Sequence, residues 1–363
     1  KILNIDTKNR LVVVEPGVIN KDLQDKLYNL NFFWEPDPSS LAYSTIGGNI
    51  ANNSAGPRAV KYGTPRDNIL GLEFVSGTGD IHKTGVKTSK GVVGLDLTRL
   101  FTGSERILGV LTQATLKILP LNKSIKTIEI TFESIIDASE MIISLMSQPI
   151  TPYTLEFVDS ESIKLINLIK HNHYDQNTKA GILLEIDGED EYIDLMLKKI
   201  ISIIKKKKLK KITVAKNPLE VKKLWAARKS LSPALQSIGK YKINEDIAVP
   251  ISNLTNLLNK LEEISKEYNI KIVNFGHAGN GNIHVNLIFQ SEKEKNSEKT
   301  KKCLDKIFDL VLNLEGTISG EHGIGIIKKN YIQKEINKET LILMKNIKNQ
   351  FDPKNILNPN KSI

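Results

Sequence analysis

A chain of 363 residues, 40% hydrophobic and 25% charged, has the composition of a globular protein with one large or two ordinary domains. The net charge of +10 is mostly lysine spread along the chain, without interleaved aromatics, so nucleic-acid binding finds no support. A single cysteine, Cys303, excludes an internal disulfide and any cysteine-ligated iron–sulfur cluster carried by this chain alone.

No apolar run approaches the ~20 residues that span a bilayer, and the start lacks a signal-peptide shape. The expectation is a reducing, cytoplasmic setting. The opening Lys1-Ile2-Leu3-Asn4-Ile5-Asp6 reads like the middle of a β-rich domain without an initiator methionine, which predicts a preceding segment.

Residues 1 to about 120 read as short strands and turns: Leu11–Val14 before Pro16-Gly17, and Glu73–Val75 before Gly77-Thr78-Gly79-Asp80. A helix is predicted from Asn20 to about Leu30, capped by Asn20, with Asp22 in its first turn. Pro36-Asp37-Pro38-Ser39-Ser40 and the run Ser44 to Gly56 carry almost only small or short-amide side chains. Such a run either lets backbone N–H groups approach a flat or phosphorylated ligand or is an ordinary polar loop. Another glycine-lined turn lies within Leu100–Thr112. No G-x-G-x-x-G follows a strand, which argues against a Rossmann nicotinamide site.

After Pro120 the pattern predicts strand Ile125–Phe132, helix Ser134–Met146 and strand Tyr153–Val158. It then predicts strand Gly181–Ile186, helix Glu191–Ile204 and strand Ile212–Ala215, an α+β layer with helices on one side of a sheet. The run Lys205 to Lys211 is read as a solvated helix end, with weak attraction to anionic lipid as the alternative. An amphipathic helix over Leu219–Ile238 carries Trp225 and Arg228. Lys242 precedes strand Ile247–Val249, a long helix starts at Asn253, and a last helix follows Lys338 and ends near Phe351-Asp352-Pro353.

Two clusters carry the chemistry. In Asn274 to His284, Asn280-Gly281 suits a two-residue hairpin turn, which would set His277 directly opposite His284, close enough to chelate one ion. The alternative is a Gly/Asn-rich hairpin whose histidines only decorate the surface. The second cluster, Thr317 to Gly325, places Glu321 beside His322. Three of the chain's six histidines fall in these two clusters.

At Thr45–Gly56, Gly103–Val110, His277–His284 and Ser319–Gly325 the sequence resembles FAD-linked oxidases of the vanillyl-alcohol oxidase type. Within these it resembles the D-lactate dehydrogenase and glycolate oxidase flavoprotein subunit group, which includes D-2-hydroxyglutarate dehydrogenase. Lys61-Tyr62-Gly63, Asn244 to Pro250 and Ile356-Leu357-Asn358-Pro359 fit as well. The resemblance implies an FAD domain over residues 1–120 lacking its N-terminal pyrophosphate-loop segment. It implies an α+β substrate-cap and metal-site domain with an antiparallel sheet over 121–335, and a tail over 336–363 returning to the FAD domain.

It further implies that Pro38, Ser39, Thr45, Gly47, Gly48, Asn49, Asn53, Gly56, Glu105, Gly109, Val110 and Asn358 line FAD. A divalent ion, zinc or else manganese or iron, falls to His277, His284 and Glu321. Arg228 and Lys242 hold the substrate carboxylate, and His322 is the base. The implied reaction is oxidation of a small D-2-hydroxy acid, D-lactate or glycolate foremost, to the 2-oxo acid, with hydride passing to flavin. The implied electron acceptor is a quinone, a cytochrome or an iron–sulfur partner subunit. Peripheral association with the inner face of the membrane and a homodimer belong to the same expectation. A non-catalytic or truncated flavoprotein subunit, whose metal hairpin is structural, is the rival. Two departures bear on these readings: Arg106 stands where the family has glycine, and Asn280 where it has aspartate.

Overall fold

A computed structural model describes residues 1–170 and 173–363. The chain divides into two compact units, one formed by Lys1–Leu121 with Glu321–Ile363, the other by Asn122–Gly320. The segment 321–335, which the sequence reading joined to the second domain, therefore groups with the first.

The first unit contains strands β1 (Ile2–Asp6), β2 (Leu11–Val14), β3 (Phe32–Phe33), β4 (Ile69–Val75), β5 (Ile81–Gly85), β6 (Val110–Lys117) and β7 (Leu119–Pro120). Five of them form an antiparallel sheet in the order β1-β2-β6-β4-β5, and β3 pairs with β7. Its core packs Val12, Val14 and Phe74 against Leu23, Leu27, Trp34, Ile46 and Ile50.

Asn20 does not cap the helix Asn20–Tyr28; Ile19 is the N-cap and makes no side-chain cap bond. The Asn20 side chain is buried and donates instead to the Pro36 carbonyl and to Asn49 Oδ1. The first N–H groups of the helix are met by backbone carbonyls instead, Asn20 N–H by Ser44 and Lys21 N–H by Leu41, so no side-chain cap is needed. The final helix Lys338–Phe351 joins this unit: Gly77 N–H donates to the Phe351 carbonyl at 2.8 Å, and the Phe351 ring lies 6.1 Å from Phe74.

The second unit contains β8 (Ser124–Phe132), β9 (Thr154–Val158), β10 (Ala180–Gly188), β11 (Lys211–Val214), β12 (Tyr241–Ala248), β13 (Lys271–His277) and β14 (Asn282–Phe289). They form one sheet in the order β11-β8-β10-β9-β13-β14-β12, with every pairing antiparallel. Alternation along the strands gives this sheet two chemically different faces. One carries Ile128, Ile130, Phe132, Leu155, Phe157, Ile182, Leu184, Ile186, Ile283, Val285 and Leu287, all buried. The helices Ile135–Met146, Asp190–Ile204, Leu254–Tyr268 and Glu298–Asn313 bring their buried apolar stripes to the core built on that face.

The other face carries Thr127, Glu129, Glu185, Thr154, Glu156, His277, His284, Asn286 and Asp246. It is not bare. Val158, Val273, Phe275 and Ile288 on it pack with Ile163 and Ile166 of the helix Ser160–Ile169 and with Ala227, Leu231 and Leu235. Helices thus lie on both sides of the sheet, not on one. The expected helix over Leu219–Ile238 is also broken, into Pro218–Lys229, Leu231–Ala234 and a 3-10 turn at Leu235–Ser237. Pro233 has no N–H for a continuing helical bond, and its ring crowds the carbonyl four residues back. Strand β12 starts at Tyr241, so Lys242 is part of it.

Candidate active site

The hairpin β13–β14 does not close on Asn280-Gly281 alone. His277 pairs with Asn282, and Phe275 pairs with His284. Ala278–Asn280 form one 3-10 turn, closed by Gly281 N–H donating to the Ala278 carbonyl at 3.0 Å. Only Gly281 takes a left-handed backbone, φ 69°, so Asn280 is spared the positive φ that a two-residue turn demands. A Cβ on Gly281 would lie 1.9 Å from the Val249 carbonyl oxygen, which leaves glycine as the residue that fits.

The expected direct opposition of the two histidines is therefore corrected to a diagonal one. The register differs by two residues, and an even offset keeps both side chains on one face, whereas an odd one would have separated them. The rings lie 5.3 Å apart, centroid to centroid, and nearly perpendicular.

A buried carboxylate organises this corner. Glu156, in the middle of β9 and 1% exposed, bonds His277 Nδ1 through Oε1 at 2.6 Å and Arg228 Nη2 through Oε2 at 2.7 Å. Desolvation pushes the Glu156 carboxyl up, but the His277 ring and the Arg228 guanidinium beside it more than offset the rise and hold the group below its ordinary range. With Nδ1 occupied, Nε2 is the nitrogen of His277 suited to a metal, the arrangement in which an outer carboxylate orients a ligand histidine. Arg228 sits with its guanidinium carbon 4.8 Å from the Phe275 ring centroid, a cation–π seat that fixes its plane. On the other flank, Asp246 Oδ1 lies 3.8 Å from His284 Nδ1 and accepts from Asn282 Nδ2 at 2.7 Å.

Lys242 is not in this group. It stands on the same face as Asp246 but four residues along β12, roughly 13 Å away at the usual strand rise, and its side chain is exposed. Arg228, not Lys242, is the cation that the second unit places beside the histidines.

The chain reaches the second cluster along β12. Thr317 bridges Ala248, and Gly320 N–H donates to the Asp246 carbonyl at 3.2 Å. A Cβ on Gly320 would meet Asn282 Nδ2 at 2.3 Å and Asp246 Oδ1 at 3.1 Å. Glu321 and His322 follow at once, as the start of the first unit's second segment. His322 Nε2 lies 3.9 Å from Glu321 Oε1, and the ring is about half exposed.

Within the first unit Glu105 has a role the sequence did not suggest. Its Oε1 accepts from Ile324 N–H at 2.7 Å and its Oε2 from Gly325 N–H at 2.8 Å, which staples the loop that follows His322. Asn358 Nδ2 donates to the Glu105 carbonyl at 2.7 Å. A cavity of about 260 Å³ is lined by Ala51, Asn52, Glu105, Arg106, Asn358 and Lys361.

The remaining flavin candidates surround the short helix Ile46–Asn52. Thr45 caps it by accepting from Gly48 N–H at 3.1 Å, and Asn53 ends it left-handed while its Oδ1 accepts from Arg66 N–H. Gly47 packs on Pro16, Gly56 on Asp37 and Gly109 on Phe74, each closer than a Cβ allows. Gly48 by contrast has only Thr45 Oγ1 and, at 3.9 Å, Arg106 Nη2 near its missing Cβ. Pro38 and Asn49 are buried, and Ser39 and Val110 are exposed. These residues suit a flavin bearing phosphate: small side chains leave the backbone bare, and two cations, Arg106 and Lys361, line the cavity against one carboxylate already held by backbone amides. Glu105 and Arg106 are both left-handed, at φ 50° and 64°, a backbone conformation that favours glycine.

Sequence reasoning missed Glu156 and the part played by Asp246. Glu156 was legible as the one acid in the otherwise mostly apolar strand Thr154-Leu155-Glu156-Phe157-Val158, whereas Asp246 lies in the polar strand Tyr241–Ala248, where nothing local singles it out.

This fold and site define a class. The chain belongs to the FAD-linked oxidases: the family model "FAD linked oxidases, C-terminal domain" matches residues 121–362, and "FAD binding domain" matches residues 1–85. Among curated relatives it is 39% identical to the glycolate oxidase subunit GlcD of Bacillus subtilis, over 99% of this chain and 77% of that protein. It is 31% identical to a D-lactate dehydrogenase of Anaerostipes hadrus, over 99% of this chain and 78% of that one. The solved structure of p-cresol methylhydroxylase matches all of this chain and 78% of its own, with a TM-score of 0.77 at 18% identity. The fold is thus that of the vanillyl-alcohol oxidase type, as the resemblance implied, and FAD is the cofactor of this family.

Proposed function

We propose that the protein oxidises a small D-2-hydroxy acid, glycolate or D-lactate foremost, to the 2-oxo acid. The observation that carries the reading is the corner of the second unit where two imidazoles and an arginine gather around Glu156. The relatives named as glycolate oxidase subunit and D-lactate dehydrogenase support the substrate class.

FAD, held by the residues around Ile46–Asn52 and by Arg106, Lys361 and Asn358, supplies the acceptor for the substrate's electron pair. His277, His284 and Glu321 would hold a divalent cation, zinc or else manganese or ferrous iron, whose chemistry there is to lower the pKa of a coordinated hydroxyl. Arg228 offers the substrate carboxylate a planar fork already oriented by Glu156 and Phe275. Lys242, farther along the face, contributes attraction rather than a second tooth of the grip. His322 takes the hydroxyl proton on its imidazole nitrogen. Gly320 delivers Glu321 and His322 from β12, since no larger residue passes Asn282 and Asp246.

Electrons then pass to a separate acceptor, a quinone, a cytochrome or an iron–sulfur partner subunit. The word "subunit" in the names of the GlcD relatives supports such a partner. No helix among the described residues is long and apolar enough to cross a membrane. We place the protein in the cytoplasm, with peripheral contact at the inner face of the membrane.

The rival reading, a non-catalytic flavoprotein subunit, draws on the strained Glu105-Arg106 pair beside the flavin candidates. Anaerobic mixing of the FAD-loaded protein with glycolate or D-lactate separates the two. Bleaching of the flavin band supports the enzyme. A flavin that stays oxidised with every 2-hydroxy acid tried contradicts it.

A further inference from the structure

The bonds at Glu156 join two functions usually treated apart. One oxygen takes Nδ1 of a proposed metal ligand, His277; the other takes Nη2 of the proposed substrate cation, Arg228. No water screens this carboxylate, which is 1% exposed, and its strand is locked on both sides: Leu183 of β10 pairs with Glu156, and Gly276 of β13 pairs with Phe157. A rigid, two-oxygen acceptor with a donor on each oxygen transmits the loss of either donor to the other.

We infer that Glu156 is a positioning residue that couples metal occupancy to capture of the substrate carboxylate. It fixes the His277 ring through Nδ1, so that Nε2 is the nitrogen available to ligate, and its other oxygen holds the Arg228 fork. This rests on the proposed function for the identity of the two partners, while the hydrogen bonds themselves belong to the second unit alone.

Glutamine in place of Glu156 keeps the size but offers one acceptor and one NH₂. Whichever way the amide turns, an N–H faces either the His277 nitrogen or the Arg228 guanidinium. Outer-shell partners of this kind typically govern 10–100-fold in metal affinity. Removing Arg228 alone leaves Oε2 without its donor and the carboxylate free to re-aim, so a smaller loss of metal affinity is expected at a residue that touches no metal.

The test uses the full chain and Zn²⁺ alone, titrated against a chelator, with no substrate or turnover required. Glu156→Gln should weaken Zn²⁺ binding by about 10–100-fold. Arg228→Met should weaken it about 3–10-fold, and the double variant should be no weaker than Glu156→Gln by itself, the non-additivity expected of one connected unit. In the metal-free chain, nitrogen NMR should show His277 as the Nδ1–H tautomer, and Glu156→Gln should change that tautomer ratio.

Arg228→Met keeps the Glu156 carboxylate and its His277 partner, so it carries the test if the first variant folds poorly. Zn²⁺ affinity unchanged within twofold in both single variants, or losses that add in the double, overturns the coupling. Wild-type protein whose Zn²⁺ binding is insensitive to His277→Ala and His284→Ala overturns the metal assignment itself, and with it the reading on which the coupling rests.

Discussion

The two faces of the seven-stranded sheet share every backbone hydrogen bond, yet they do different work. On one, eleven aliphatic and aromatic residues from four strands are buried beneath four amphipathic helices. On the other, the strands of the same sheet present Glu129, Glu185, Glu156, His277, His284 and Asp246. Burying polar groups costs free energy unless they are bonded, and here the glutamates have partners: Thr127 and Trp225 donate to Glu185, His173 meets Glu129 at 3.0 Å, and His277 and Arg228 meet Glu156. The comparison teaches that the apolar face supplies stability and rigidity, while the polar face uses that rigidity to hold charged groups in fixed geometry.

Four variants would break or sharpen this division. His322→Ala should lower turnover of the FAD-loaded enzyme by about 10²–10⁴-fold, the usual contribution of a general base, while Zn²⁺ content stays unchanged. Stopped-flow flavin reduction and metal analysis of one preparation read both quantities. Phe157→Ala, on the apolar face next to Glu156, should cost about 3–5 kcal/mol in urea unfolding. Its folded fraction should still bind Zn²⁺ within twofold of wild type; a larger loss would mean the faces are not separable.

Gly320→Ala tests delivery of the second cluster. Its Cβ would displace Asn282 or the strand itself, and misplacement by about 1 Å costs on the order of 10²-fold in turnover. Steady-state kinetics at unchanged FAD content would show it.

A smaller effect concerns Asp159, at the end of β9, which accepts from Ser162 N–H and from the Asn274 backbone and side-chain N–H groups. Burial raises its carboxyl to about 6, and those hydrogen bonds only partly oppose the rise. A folded-state value above the unfolded one means the folded chain holds the proton more tightly. This contribution to stability is therefore fully present below about pH 4 and is lost as pH rises through 6, a change of roughly 2–3 kcal/mol. Unfolding free energies of wild type and Asp159→Asn, measured from pH 4 to pH 7.5, should differ by an amount that shifts against wild type as pH rises. A constant difference would place Asp159 outside this titration.

Much of the site was legible beforehand because its signals are local. Gly281 stands where backbone meets backbone and Gly320 where backbone meets the Asn282 side chain, and the histidines sit at a spacing whose parity survives a change of turn. What was not legible depends on pairing between distant strands. Nothing in the hairpin itself reveals that Glu156, from β9, would reach His277, or that Gly276 would pair with Phe157 and bring them together. The turn was misjudged because Asn-Gly favours a two-residue reversal locally, whereas the tight approach of Gly281 to Val249 favours the longer one. Sequence resemblance carries no distance along a strand, so the four residues that separate Lys242 from Asp246 on β12 came only with the fold. That Glu105 accepts from the amides of Ile324 and Gly325 was likewise hidden, because they lie more than two hundred residues away.

The most direct test of the whole account is the Zn²⁺ stoichiometry and affinity of the full chain beside those of His277→Ala and His284→Ala. The polar-face account predicts one tightly held ion per wild-type chain and its loss in both variants. Equal Zn²⁺ binding by all three proteins would contradict it.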